Sequence, residues 1–412
     1  MTLWAYLFRT HVAPKAALVL LALEAFNIVN RGMPWRGELV WTIDWLGTVL
    51  ILIGPVVAGA AAVDAGRFAR AGTEYLTGRA ASANRVYMLT WLAAAIPAMV
   101  VHLAAAVAIV ALSNPRSQIS VWPSVFAVIA QLCGIGFYAA LGSACGRYAG
   151  SVAGGPIAVV AGIVLFWQFG TSPERFSVLM FGRATSSVLG LQFNVAYSVA
   201  QVVCLALISL ALVLLPVRVI SGIRRPPHIV TVTIGIAVAG AVLVSPYISS
   251  DRFVPVAIRP TSCTGSAQVI CMYPDHDRFL PSVAESVKRV YSGASALGVQ
   301  DLLPTKIVER TPGEGPANDG VGRFQIPLDS FRTNDVTPEM MAMELVIPHH
   351  CPALYGDVAP PIEFGQKLHR AVHTLVAASQ GHTDGGPAQF DEILSADELK
   401  KLLTSFKNCQ LG

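Results

Sequence analysis

Long apolar runs alternate with short charged segments over residues 1–248, and the pattern changes abruptly afterwards. A bilayer core about 30 Å thick needs roughly 20 apolar residues in a helix. Runs of this kind predict seven membrane spans, of which the first is the weakest because Glu24, Asn27 and Asn30 interrupt it. The predicted spans lie near residues 16–30, 41–63, 87–112, 124–146, 152–170, 193–216 and 229–248.

An amphipathic pattern precedes the first span. Five apolar residues fall on one helical face, and Pro14 closes the segment: Leu3, Trp4, Leu7, Phe8 and Val12. We interpret residues 1–15 as a helix lying in the membrane interface. The alternative is that these residues are a ragged start of the first span.

Residues 249–412 show alternating strand and helix signals. Strands are predicted at Ala267–Tyr273, Lys306–Arg310 and Arg323–Pro327, and helices near 277–297, from Thr337, at 364–380 and after 395. The last helix follows a capping box that runs from Ser395 to Glu398. The predicted fold is thus a polytopic α-helical membrane protein of about seven spans, followed by an extracellular α+β domain. Its parts are an interfacial helix (1–15), a six-span core (16–220), a seventh span (221–248) and the domain (249–412).

Composition agrees with a membrane protein. Hydrophobic residues make up 54% of the chain and charged residues 13%, about half the share of a soluble domain. Residues 1–248 hold six acidic and fifteen basic residues, whereas the remainder has a net charge of −5. The basic part suits contact with anionic membrane lipid. Nucleic acid is not an expected partner, because no basic run or patch of interleaved aromatic residues occurs.

The distribution of basic residues predicts the orientation. With the N-terminus inside, the inner segments carry ten Lys and Arg and the outer loops carry five. This excess favours an N-terminus inside the cell and places residues 249–412, which we call the tail, outside it. The expected location is therefore a bacterial plasma membrane, with the C-terminal domain extracellular.

The seven cysteines divide in the same way. Three lie in apolar spans, where they suit the packed core: Cys133, Cys145 and Cys204. Four lie in the tail: Cys263, Cys271, Cys351 and Cys409. An even set in an exported domain predicts two disulfides, for which three pairings exist. We favour Cys263–Cys271 and Cys351–Cys409.

Polar residues within spans are costly and often functional. The candidates are Glu24, Asn27, Asp44 and His102. Asn27 follows Glu24 by one turn, and Asp44 lies near the outer end of its span, where water could reach it. The sequence assigns no partner to any of them, and for His102 it favours a hydrogen-bonded packing role.

Glycines recur every four residues between the fourth and fifth spans, at Gly142, Gly146, Gly150 and Gly154. Small residues at this spacing let helix backbones approach closely. Glycines here could equally mark the turn between two spans. The sequence leaves both interpretations open.

A pair of histidines in the tail has a spacing that suits a metal. His369 and His373 are four residues apart on a predicted helix, and Glu392 follows. The pattern resembles zinc peptidases with HExxH and a distant glutamate ligand, but Arg370 stands where the general base is needed. We therefore assign no metal site and keep a degenerate zinc-peptidase-like protein as a minor hypothesis.

The sequence lacks a motif for nucleotide hydrolysis, a nucleophile elbow and a dinucleotide-binding fingerprint. We therefore expect no enzyme activity from this chain and no cofactor bound to it.

The inner loop from Asp64 to Arg85 carries four arginines. Residues 65–76 could form a helix with Phe68, Tyr75 and Leu76 as apolar contacts for a partner. The alternative is a solvated basic loop.

An interfacial helix, six spans and a basic loop after the second span together resemble the membrane subunit of an ABC-2 type exporter. This resemblance covers about residues 1–220, and the extra span and outer domain are similar to additions in actinobacterial permease-like proteins. It implies a dimer of this chain or a homologue, and a separate ATPase that carries ATP and Mg²⁺. The coupling segment implied by the family maps onto Arg67, Phe68, Arg70, Glu74, Tyr75 and Arg79. The alternative function is a non-transporting receptor or scaffold that presents the outer domain.

Overall fold

The computed structural model describes residues 9–69, 80–170, 178–215, 240, 251–312, 314–316, 320–354, 361–381 and 393–411. Within the described residues, the N-terminal part holds six α-helices: α1 (Ala13–Val29), α2 (Leu39–Thr48), α3 (Leu50–Gly66), α4 (Ala80–Ser113), α5 (Val121–Gly170) and α6 (Val195–Leu214). The tail holds α7 (Leu280–Ala296), α8 (Leu328–Thr333), α9 (Pro338–Val346), α10 (Ile362–Ser379) and α11 (Ala396–Lys407). The strands are β1 (Leu191–Phe193), β2 (Phe253–Pro255), β3 (Ser262–Thr264), β4 (Val269–Met272), β5 (Lys306–Glu309) and β6 (Gly322–Phe324).

Three helices in the described part are long and apolar enough to cross a membrane, at Arg85–Ser113, Val121–Phe169 and Val195–Leu214. The bent pair α2 and α3 would make a fourth. Large apolar side chains remain exposed on these helices, including Trp122 and Trp167 at 72% each, as expected for contact with lipid. The predicted seventh span, residues 229–248, lies outside the described residues except for Gly240.

The predicted fourth and fifth spans form one helix, α5, with a break at Gly150. Its φ of 77° and ψ of 178° are not helical. A Cβ on Gly154 would lie 2.8 Å from the Cα of Gly146, so the chain folds back and the two halves lie side by side. Gly142 and Gly146 also bring α5 against the backbone of Ala58 and Ala62 in α3. Both interpretations of the glycines therefore apply, the turn at Gly150 and close packing at the others.

The second predicted span is bent at Val49, where α2 and α3 meet at 41°.

The chain has a break between the N-terminal segment and the first span. Arg9 and Thr10 are helical, His11 and Val12 are not, and α1 begins at Ala13. Pro14 lies in the first turn of α1, where its missing N–H costs nothing. Residues 1–8 of the predicted interfacial helix lie outside the described residues.

The tail folds as predicted in outline. Its sheet has the order β3-β4-β5-β6, antiparallel between β3 and β4 and parallel elsewhere. The structure has disulfides between Cys263 and Cys271 and between Cys351 and Cys409. The capping box at Ser395 is also present.

The tail packs directly on one end of the N-terminal helices. Strand β2 pairs with β1, which precedes α6, and the Trp41 ring of α2 meets Phe331 edge-on at 5.2 Å. Gly37 comes so close to the backbone of Asp275 that a side chain there would clash. One hydrophobic core therefore continues from the end of the helices into the tail.

Candidate functional site

The four polar residues predicted within spans are all buried. Their exposed fractions are 1% for Glu24, 8% for Asn27, and 0% for Asp44 and His102. Each has a partner that the sequence did not reveal. We call helices α1 to α6 the bundle. The four residues form three separate contacts around α2, at the end of the bundle nearest the tail.

Glu24 and His102 belong to one hydrogen-bonded chain across four helices. Glu24 Oε1 in α1 lies 2.6 Å from His102 Nδ1 in α4. His102 Nε2 lies 2.9 Å from Gln131 Oε1 in α5, and Gln131 Nε2 donates to the carbonyl of Ile43 in α2 at 3.0 Å. Sequence reasoning missed Gln131, because an uncharged amide attracts little notice in an apolar run.

Asn27 satisfies backbone groups near the bend between α2 and α3. Its Nδ2 donates to the carbonyl of Trp45 at 3.1 Å, while the Trp45 indole donates back to the carbonyl of Asn27 at 2.8 Å. The Thr48 hydroxyl lies 3.0 Å from Asn27 Oδ1 and 2.7 Å from the Trp45 carbonyl. Where a helix bends, freed carbonyls need such partners in an apolar environment.

Asp44 is not exposed to water, in contrast to the sequence interpretation. Its carboxylate lies 2.5 Å from Arg252 Nη2 and accepts from the backbone N–H groups of Arg183 and Ala184. The Arg252 guanidinium also lies over the rings of Phe193 and Phe253. The pair anchors the start of the tail to α2.

A second group of ionisable residues joins the helices to the tail and was missed by the sequence analysis. His276, in the turn Pro274–Phe279, lies between Glu38, just before α2, and Glu309 in β5. The distances are 2.9 Å from Nε2 to Glu38 Oε1 and 2.5 Å from Nδ1 to Glu309 Oε1. All three side chains are at most 3% exposed. We call these three residues the junction triad.

The remaining oxygens of the junction triad are also satisfied. Glu38 Oε2 accepts from the N–H of Val188, and Glu309 Oε2 accepts from the N–H of Tyr273, each at 3.0 Å. Burial lowers the pKa of His276, but the charges and hydrogen bonds of Glu309 and Glu38 outweigh it and raise that pKa to about 10. His276 is therefore an imidazolium that donates to two carboxylates.

Asp275 adjoins the junction triad and is 5% exposed. Burial, together with the nearby charge of Glu38, raises the pKa of Asp275 to about 6. Because the junction triad already holds a net charge of −1, another buried carboxylate ionises less easily beside it.

The predicted coupling segment is only partly within the described residues. Helix α3 runs to Gly66 and is followed by a turn of residues Arg67–Ala69. Arg67 donates to the carbonyl of Thr10 at 2.7 Å, and the Phe68 ring lies 6.1 Å from that of His11. The remaining residues of the segment lie outside the described residues: Arg70, Glu74, Tyr75 and Arg79.

A buried carboxylate holds the start of this segment. Asp64, with 0% exposure, accepts from the backbone N–H groups of Val12 and Ala13 at 2.8 Å each. These are donors at the N-terminus of α1, where a negative charge is favourable. His11 and Arg67 each lie 3.7 Å from the same carboxylate. Asp64 thereby connects the beginning of α1 with the end of α3.

The histidine pair of the tail does not form a metal cluster in the described part of the chain. The His369 and His373 rings are stacked with their centroids 6.4 Å apart, and Glu392 lies outside the described residues. The one group with metal-ligand spacing there is His350, Cys351 and Cys409. Because these two cysteines form a disulfide, they offer no thiolate.

Comparison with protein-family models, curated proteins and solved structures finds no match to this chain.

Proposed function

We propose that this chain is the membrane subunit of an ATP-driven exporter. It spans the membrane about seven times, pairs with a second copy or a homologue, and places its tail outside the cell. A separate ATPase, which carries ATP and Mg²⁺, docks on the basic segment from Arg67 to Arg79. An amphiphilic substrate then moves outward.

The attachment of the basic segment by Asp64 carries this proposal. A docking segment transmits force only when it is rigidly connected to the helices that move. The Asp64 carboxylate bonds to the start of α1 through two backbone N–H groups while it belongs to α3. A displacement of the segment therefore moves two membrane helices together, and a partner that prefers one position shifts the population of the whole bundle.

The junction of the tail with the helices supports a gating role for the tail. It contacts the connections that precede α2, α5 and α6, through Glu38, Arg116 and β1 respectively. These are the segments predicted to face outward. A substrate leaving the bundle on that side meets the tail, which opens or closes its exit.

Charge reversal tests the docking segment. The variant Arg67→Glu/Arg70→Glu/Arg79→Glu is purified from its native membranes alongside the wild type, and co-purified proteins are identified by mass spectrometry and assayed for ATPase activity. A matched control reverses three exposed basic residues of the tail: Arg289, Lys400 and Lys401. We expect the segment variant to lose a co-purifying ATPase that the control retains. Retention by both contradicts the docking role.

A groove in the tail favours a second candidate function, a membrane receptor. Its volume is about 530 Å³, and polar side chains of both signs line it, including Asp301, Arg323, His350 and Lys407. Grooves of this size hold small ligands. If wild-type preparations contain no ATPase, and small polar ligands stabilise the chain against thermal unfolding, the receptor function is preferred.

A further inference from the structure

The hydrogen bonds around His102 fix the positions of its protons. The carbonyl of Ile43 can only accept, so the Gln131 atom bonded to it is the amide nitrogen. The other end of that amide is an oxygen, which also only accepts. His102 Nε2, 2.9 Å away, must therefore carry a proton and donate it to Gln131.

The contact between His102 and Glu24 then holds a single proton. His102 Nδ1 and Glu24 Oε1 are 2.6 Å apart, which requires one proton between them. It belongs either to a neutral carboxyl or to an imidazolium beside a carboxylate. Glu24 Oε2 is buried and has no hydrogen-bond partner among the described residues. A bare carboxylate oxygen in an apolar site is much costlier than a bare carbonyl oxygen, which favours the neutral carboxyl.

We propose that Glu24 and His102 form a proton-binding site inside the membrane bundle, with one exchangeable proton on Glu24 Oε1 facing His102 Nδ1. The ligand of this site is a proton. The site stands independently of the exporter proposal, since it rests on other residues. It gives the bundle a means of responding to protons in addition to any partner ATPase.

Neighbouring groups do not compensate the charge of this site. In α1, Asn27 lies one turn after Glu24 and bonds to the Trp45 carbonyl, and in α2, Asp44 is paired with Arg252. The cationic groups on the described parts of α1, α4 and α5 lie nine or more residues along the chain from Glu24, His102 and Gln131 respectively: Lys15, Arg85 and Arg147. Asp64 in α3 is held by N–H groups at the start of α1, and the titratable Cys133 and Tyr138 of α5 supply no positive charge. Loss of the proton therefore leaves an uncompensated negative charge.

Release of the proton has a structural consequence. The proton passes from Glu24 Oε1 to water and leaves a carboxylate facing the lone pair of His102 Nδ1. Repulsion between two acceptors favours moving the ring proton from Nε2 to Nδ1, which breaks the bond to Gln131. Gln131 then loses its fixed orientation toward Ile43, close to the bend between α2 and α3. The bend thereby responds to the occupancy of the site.

The test uses the full-length protein in lipid nanodiscs. Infrared spectra recorded in H₂O and in D₂O detect buried protonated carboxyls whose proton exchanges, and ¹⁵N NMR of labelled histidine reports the tautomer of His102, assigned with His102→Gln. We expect a protonated carboxyl band that shifts on exchange into D₂O. We expect it to disappear in Glu24→Gln and to remain in Glu285→Gln, an exposed control.

The wild-type NMR spectrum keeps the proposal testable even if a variant fails to fold. We expect His102 to be neutral, with its proton on Nε2, while the carboxyl band is present. An imidazolium signal throughout would show a fixed ion pair and overturn the proposal. A carboxyl band that never shifts in D₂O would also overturn it, because the proton would then be a permanent structural part.

Discussion

The bundle and the junction each bury a glutamate against a histidine, yet they treat its charge differently. In the bundle, Glu24 has one oxygen bonded to His102 and one with no hydrogen-bond partner among the described residues. In the junction triad, all four carboxylate oxygens of Glu38 and Glu309 accept a hydrogen bond. The number of N–H groups that donate to each carboxyl, its donor supply, thus decides which glutamate is neutral and which is ionised, although both sites are equally buried.

The comparison teaches that burial alone does not set the charge of a side chain. A carboxylate stays ionised in an apolar site when enough N–H groups point at it, as backbone and imidazole groups do in the junction triad. Where a membrane bundle offers a single donor site, the carboxyl remains neutral. The same Glu→Gln substitution should therefore cost less stability at Glu24 than at Glu309.

The largest effect is expected from His276→Ala. This change leaves Glu38 and Glu309 buried without their shared donor, and loss of one partner of a buried ion pair costs roughly 3–5 kcal/mol. The unfolding free energy in mixed micelles measures it, and limited proteolysis reports release of the tail from the helices. His369→Ala, at an exposed histidine, is the control and should change little. Equal stability of both variants would contradict the junction role.

The junction triad also predicts how stability depends on pH. Because the pKa of His276 is raised from 6.5 to about 10, its stabilising contribution is complete below pH 6.5 and is lost as the pH rises through about 10. The pKa of Asp275, at about 6, lies below this window. The melting temperatures of wild type and His276→Gln, measured from pH 6.5 to pH 10.5, should converge at the upper end. A constant difference would contradict the raised pKa.

A smaller loss is expected from Glu309→Gln. Glutamine has one acceptor oxygen, whereas Glu309 accepts from both His276 and the N–H of Tyr273. Its NH₂ group would face one of those donors, and loss of a hydrogen bond to a charged group costs about 1.5–3 kcal/mol. The unfolding free energy is measured against Glu339→Gln in the first turn of α9, a carboxylate outside the junction triad. A loss no larger than that of the control would count against two acceptor contacts.

How much of the fold could be predicted from the sequence depended on how far apart the interacting residues lie along the chain. The pairing of Cys263 with Cys271 and the capping box of Ser395 with Glu398 follow from neighbouring residues, and both are present. The pairing of Cys351 with Cys409, 58 positions apart, was favoured among three possible pairings, and it is also present. Local spacing carries such information because the chain brings these groups together at little cost in entropy.

The candidate site could be predicted only in part. Glu24 and His102 stood out as ionisable residues in apolar runs, but 78 positions separate them, and nothing in either run indicates the other. Glu38 and His276 are 238 positions apart and look like ordinary charged residues of loops. Their meeting depends on the tail packing against α2, which no local pattern encodes.

In the bundle, Gln131→Leu should cost about 1–3 kcal/mol, because the carbonyl of Ile43 and the Nε2–H of His102 both lose a partner. The unfolding free energy measures the loss. Gln118→Leu, at an exposed glutamine outside the bundle, is the matched control. A negligible effect of Gln131→Leu would show that water or another group replaces the amide.

The smallest effect is expected from Glu24→Gln, and it separates the two regions most clearly. If Glu24 is a neutral carboxyl, the amide Nε2 of glutamine donates to His102 Nδ1 in place of the O–H, and its oxygen takes the position of the unpaired Oε2. The change in unfolding free energy should stay below about 1 kcal/mol. The same substitution at Glu309 is expected to cost more, although both side chains are 1% exposed. Equal losses at the two positions would mean that Glu24 is ionised and that donor supply does not distinguish the sites.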